Sequence, residues 1–231
     1  MEQPLRPHHP CQPRRHAAKI NVTNTSDTLT GTTQRFNGAI EIIRMNSTVG
    51  GLDQLSLSDR QAVLRALRCG VMTVAGNNFA PNNSATRLQV ARALMLGANT
   101  HVPQFLPYSP TYSDVSGATA IFVESVAHSP NGDLMNTGGA RFNPNAQADR
   151  LTVAIAMVKV LGLDDDAQRA SATNPGLLDW LGIPVAARGY VSVAVTRGLM
   201  SANAAGQFRP TDAITRLELA KASYALLQAT R

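Results

Sequence analysis

The chain has 231 residues, 44% of them apolar and 16% charged, with a formal net charge of +6. That is room for one sizeable core or a few small ones, and no apolar run reaches the length of a membrane-spanning helix. The charge is not a nucleic-acid signature: residues 1–20 carry Arg6, Arg14, Arg15 and Lys19 against Glu2, half of the net total. No helix-like stretch shows a basic stripe interleaved with aromatics.

Residues 1–16 hold four prolines and no apolar h-region, so they read as a disordered basic tail and not as a secretory leader. His8, His9 and His16 fall in that tail and are read as part of it, not as a metal tract. Residues 17–50 change character. Lys19 to Thr23 alternates, and Phe36 to Met45 is rich in isoleucine, which predicts a short β-rich segment ending at Gly50-Gly51. Two cysteines, Cys11 and Cys69, signal neither a disulfide framework nor a metal site.

From there on the chain repeats itself. Phe79, Pro81 and Arg87 stand in the same spacing as Phe142, Pro144 and Arg150, and as Phe208, Pro210 and Arg216. A methionine precedes each phenylalanine by seven or eight positions, at Met72, Met135 and Met200. Four residue types in register three times, in a chain with only six Phe and seven Met, mark an internal triplication. The repeats are placed at about 55–100, 112–162 and 186–230. Each is too small to bury its apolar face alone, so the three must pack on one another.

Within a repeat, Phe-x-Pro predicts an extended approach with a buried aromatic, because proline biases its predecessor away from the α region. A helix follows. Thr86 with Gln89, and Thr215 with Glu218, have capping-box spacing, and Asp149 is a good N-cap for the middle copy. Gly70 and Gly198 read as αL stops of a preceding helix. The helix from Leu151 to Leu161 is apolar nearly all round and should be the most buried. Residues 101–113 form a proline-stiffened connection. Asp164-Asp165-Asp166 lacks the further ligands of a calcium loop and reads as a polar cap for a short helix. Residues 167–185 hold a turn and then a small apolar segment, Leu177-Leu178-Asp179-Trp180.

Arg87, Arg150 and Arg216 sit at the first helical position, where the macrodipole disfavours a cation by roughly 0.3–1 kcal/mol. Two readings stand. Each guanidinium ties its repeat to a neighbour through a carboxylate or free carbonyls, or it joins the helix start in receiving an anion.

A helix, a glycine-containing loop, Phe-x-Pro and then Thr-Arg-x-Glu opening a second helix resembles the S-layer homology domain family. Copy three fits best, with Arg197-Gly198-Leu199-Met200, Phe208-Arg209-Pro210 and Ile214-Thr215-Arg216-Leu217-Glu218. Copy two opens on Tyr112-Ser113-Asp114-Val115, similar to the family's aromatic-x-Asp-Val start, and copy one keeps Phe79-Ala80-Pro81 and Thr86-Arg87-Leu88-Gln89. Copy one lacks the aromatic start, the acid after the Arg survives only as Glu218, and the family's Trp-Ala in the first helix is absent throughout.

The resemblance implies a mainly α fold, three helix-loop-helix repeats in a pseudo-threefold bundle, preceded here by the β-rich segment. It implies a non-catalytic module of the cell envelope that binds anionic cell-wall polysaccharide in grooves between repeats, with no nucleic acid, membrane insertion, metal or cofactor involved. Arg87, Arg150, Arg216, Glu218 and Asp114 are the expected ligand-binding set. Two other readings are a C-terminal non-catalytic region of a secreted subtilisin-like serine peptidase, and a structural spacer that has lost sugar binding. The chain contains no Gly-x-Ser-x-Gly, His-Glu-x-x-His or phosphate loop. An exported protein needs a leader, so a fragment or truncated start is expected.

Overall fold

The computed structural model describes residues 49–74, 76–98, 111–135 and 138–230. The expected basic tail and β-rich segment lie outside these, apart from the Val49–Gly50 end, as does most of the proline-stiffened connection. The described residues are mainly helical, with isolated β-bridges. The helices are α1 (Leu57–Arg68), α2 (Arg87–Gly97), α3 (Ala120–Ala127), α4 (Arg150–Val160), α5 (Asp164–Arg169), α6 (Val185–Thr196) and α7 (Arg216–Ala229). Single 3-10 turns precede α3 and α6.

The starts of α2, α4 and α7 follow from local sequence. Thr86 and Thr215 each accept the amide three residues on, and Gln89 and Glu218 return a carboxyl or amide oxygen to the cap's own N–H. Asp149 caps α4 through the amide and hydroxyl of Thr152. Gly70 and Gly198 take φ of 68°, closing α1 and α6 as left-handed stops. At Gly198 the bonds from Gly198 N to Val195 O and from Leu199 N to Ala194 O make a complete Schellman end. Ser56 caps α1. The three aspartates lie within the first turn of α5, where they oppose the dipole's positive end. Cys69 lies at the C-cap of α1.

Helix α1 lies on α7, α3 on α2, and α6 on α4. Helix α2 also touches α4 and α7. Seven residues of α4, Arg150 among them, are buried, as its all-round apolar sequence predicts. Phe79, Phe142 and Phe208 are fully buried, and Met72, Met135 and Met200 are buried beside them in one continuous core.

The segments just before α2, α4 and α7 join in a closed set of backbone hydrogen bonds. Ala85 N donates to Ile214 O at 2.8 Å, Ile214 N to Ala148 O at 2.9 Å, and Ala148 N to Ala85 O at 3.0 Å. No segment can leave this ring without stranding a donor in one neighbour and an acceptor in the other.

The extended Phe-x-Pro approach is corrected by the structure. The middle residue is left-handed in all three copies: Ala80 at φ 50°, Asn143 at 55° and Arg209 at 56°. That conformation costs an L-residue roughly 1–2 kcal/mol. What it gains is a pair of successive amides aimed at one acceptor. Phe142 N and Asn143 N donate to the two oxygens of Asp114 at 2.8 Å each. Phe208 N and Arg209 N do the same to Asp179, at 2.8 and 2.7 Å. Copy one has Gly51 in place of the aspartate. There Phe79 N donates to Gly50 O at 3.1 Å, and Ala80 N to the side chain of Asn78 at 2.8 Å. A Cβ on Gly51 would fall 2.4 Å from that Asn78 oxygen, so the glycine makes room for the substitute acceptor. Gly50 and Gly51 are therefore built into the first Phe-x-Pro turn and do not merely precede it.

Candidate functional site

The three arginines make one contact in triplicate. Arg87 Nε donates to Phe142 O at 2.7 Å, Arg150 Nε to Phe208 O at 2.6 Å, and Arg216 Nε to Phe79 O at 2.7 Å. The Nη2 atoms reach Met135 O, Ser201 O and Thr73 O at 2.7, 2.7 and 2.5 Å. Each guanidinium also lies 4.7–4.9 Å from the centre of the phenylalanine ring whose carbonyl it binds. The start of α2 thus holds the Phe142 turn, the start of α4 the Phe208 turn, and the start of α7 the Phe79 turn. Burial pushes all three guanidinium pKa values down from their ordinary level; at neutral pH an arginine stays charged regardless.

The same helix starts spend their amides on the neighbouring turn. The first helical N–H of α2, α4 and α7 donates to Ala146 O, Asp212 O and Asn83 O at 2.8–2.9 Å. The second donates to the carbonyls of Pro144, Pro210 and Pro81 at 3.0 Å. The third goes to the cap side chain. The helix-start amides and the Nε and Nη2 atoms of each arginine therefore already have partners within the chain. The unfavourable charge at the first helical position is offset by carbonyl dipoles and an aromatic face from the next unit.

Arg150 and Arg216 are 2% and 8% exposed. Both point into the body. Glu218 is half-buried and serves three partners: the Thr215 amide at 2.8 Å, the Thr215 hydroxyl at 3.0 Å and Arg150 Nη1 at 2.5 Å. Asp114 holds its turn, as above. Burial raises its pKa, but the amides of Phe142 and Asn143, with Arg141 3.8 Å away, outweigh that and leave the carboxyl below its usual range. Arg87, half-buried, walls a groove together with Asp114.

That groove, about 570 Å³, is walled by Arg87 from the start of α2 and by Asp114, Arg141, Asn143, Pro144 and Asn145 of the second turn. A second, of about 410 Å³, occupies the matching place on the first turn, beside Asp53, Asn78, Pro81, Asn82 and Asn83. On the third turn Arg209 lies 3.2 Å from Asp212 and 3.6 Å from Glu218. Among the described residues no group of three or more His, Cys, Asp or Glu is placed to hold a metal ion.

The family model for the S-layer homology domain matches residues 179–220, from the aspartate that seats the third Phe-x-Pro turn to the first turns of α7. That stretch is similar to an S-layer homology domain. No curated protein matches the chain at significance. S-layer homology domains are non-catalytic units that anchor proteins to cell-wall polymers. No helix among the described residues is long and apolar enough to cross a membrane.

Sequence reasoning passed over Asp179, although its signal was present: it precedes Phe208 by 29 residues, as Asp114 precedes Phe142 by 28. It also passed over Arg141, Asn143, Asn145 and Arg209. Nothing in the motif marks these, because they sit at the variable positions around Phe-x-Pro.

Proposed function

We propose that the chain is a non-catalytic envelope-anchoring module made of three homologous S-layer homology units in a pseudo-threefold arrangement around α2, α4 and α7. It binds anionic cell-wall polysaccharide in the shallow grooves beside the Phe-x-Pro turns. The units correspond to about 55–100, 112–162 and 186–230, the first and third extended backwards to include Gly50 and Asp179, which seat their turns as Asp114 does within the second. Arg150 and Arg216 build the body, while Arg87 both builds it and walls a groove. Asp114 and Glu218 shape the ground on which a glycan rests.

The observation that carries the reading is the groove at Arg87, a polar surface hollow between two units, with a cation rigidly held on one wall. Its lining is guanidinium, carboxylate and side-chain amide, which suits hydroxyl-rich, acid-bearing sugars better than apolar ligands. Co-sedimentation with purified wall polysaccharide tests it. Binding at low ionic strength that declines as salt is raised is expected; a chain that stays in the supernatant at every salt concentration contradicts it. The spacer reading draws support from the burial of Arg150 and Arg216, and it is the reading that the second outcome would leave standing.

A further inference from the structure

Large apolar side chains left in water are few among the described residues, and they cluster. Leu57 stands apart at the start of α1, and a single exposed leucine is ordinary. Leu178, Leu181 and Val185, at 80%, 84% and 70% exposure, fall together on the stretch that leads into α6. Leu177, Trp180 and Ile183 there are buried while Leu178 and Leu181 face outward, which is the three-residue period of the 3-10 turn at Trp180–Gly182. Arg188 folds that turn back onto α6: Nε donates to Ile183 O at 3.1 Å and Nη2 to Leu181 O at 3.2 Å, with the guanidinium 5.7 Å from the centre of the Trp180 ring. The turn is thereby fixed against the start of α6, where Pro184, Val185 and Ala186 are exposed as well. The face is also uncharged. Between Gly176 and Ala187 the only ionisable side chain is Asp179, and its two oxygens accept the amides of Phe208 and Arg209.

We propose that this face pairs two copies of the chain about a two-fold axis. In such a contact the same patch is used on both sides, so a charged patch would meet its own charge and be repelled. A neutral apolar patch is self-complementary as it stands. A bilayer surface fits less well, because an interfacial anchor sets basic side chains around its apolar face, and no Lys or Arg lies between Gly176 and Ala187. Removal of the leucines and the valine from water supplies the drive. Three such side chains make a patch of roughly a few hundred Å², whereas a stable pair buries about 800 Å² on each partner. The pair is therefore a weak one that forms where copies are crowded. None of the residues that line the two polar grooves belongs to this face, so pairing and glycan binding do not compete, and neither depends on the other.

The test is sedimentation velocity on the whole chain without polysaccharide, from micromolar to near-millimolar concentration, with thermal unfolding run on each variant. Wild type should pass from monomer to dimer across that range. Leu181→Ala should weaken pairing about a hundredfold, because a two-fold contact loses about tenfold on each side. Leu181→Asp, which sets a carboxylate against its own copy, should leave monomer at every concentration. Leu57→Asp, on the isolated exposed leucine, should pair as wild type does. Added salt should strengthen the pair by screening the repulsion between two chains of net charge +6, the reverse of its effect on glycan binding. Wild type that stays monomeric throughout would overturn the proposal, and so would a dimer that Leu181→Asp leaves intact. A fall of several degrees in the unfolding temperature of Leu181→Asp would also overturn it, since the face would then be covered within its own chain. Monomeric wild type that floats with phosphatidylcholine vesicles would replace the second copy with a bilayer.

Discussion

Replacing Arg150 by alanine should cost about 4 kcal/mol of stability. The side chain is 2% exposed, and its removal leaves the carbonyls of Phe208 and Ser201 without the donors at 2.6 and 2.7 Å. A stranded buried acceptor costs roughly 1–3 kcal/mol. Loss of the guanidinium 4.9 Å from the Phe208 ring adds about 1–2 kcal/mol in a desolvated setting. Glu218 keeps its capping bonds and the nearby Arg209, so breaking its pair adds no more than about 1 kcal/mol. Relaxation around the gap trims the sum to about 4 kcal/mol, a large share of the roughly 5–15 kcal/mol that holds a domain folded. Urea unfolding followed by the fluorescence of Trp180, the chain's single tryptophan and a buried one, reads the change. Arg150→Lys should recover little, because an ammonium cannot reproduce the planar fork across two carbonyls and a carboxylate. The exposed Arg141→Ala should lie within about 0.5 kcal/mol of wild type. If Arg150→Ala lost less than about 1 kcal/mol, the stapling role assigned to the three arginines would be wrong.

Asp114→Asn should destabilise the chain at neutral pH, because an amide cannot accept both the Phe142 and Asn143 N–H groups as a carboxylate does. The Asp114 pKa is depressed in the folded state, so its contribution is present above the unfolded carboxylate value of about 3.9 and is lost as pH falls through the folded one. Unfolding curves of variant and wild type should therefore converge as pH drops below about 4; a gap that persists at low pH would contradict this. Gly189→Ala should cost about 3 kcal/mol or more, since the new Cβ would fall 1.8 Å from the Ala167 carbonyl oxygen where α6 crosses α5; a thermal shift of less than a few degrees would refute so close a crossing. Thr215→Ala and Thr86→Ala remove capping-box hydroxyls and should each cost about 1 kcal/mol, measured by urea unfolding.

What was legible in the chain was what is local. The capping boxes at Thr86 and Thr215 and the glycine stops at Gly70 and Gly198 involve residues within a few positions of each other, and the structure has them where the spacing puts them. The conformation of Phe-x-Pro was misread because the proline rule was applied alone. In the structure the aspartate 28 or 29 residues upstream sets the backbone, by drawing two successive amides to one carboxylate. The arginines fall between these cases. A cation at a helix start conflicts with the dipole, and that conflict marked them as engaged elsewhere. Their partners lie 55, 58 and 137 residues away, and no periodicity reaches so far. Gly189 gave no sign at all, because nothing in its own helix requires it.

The most direct test of a body closed on itself is native-state hydrogen exchange at Ala85, Ala148 and Ile214, the donors of the backbone ring. All three amides should open with the same free energy and the same denaturant dependence as global unfolding. Exchange of any one of them through a smaller opening, with the other two still protected, would show that its unit can detach, and the closed assembly would have to be abandoned.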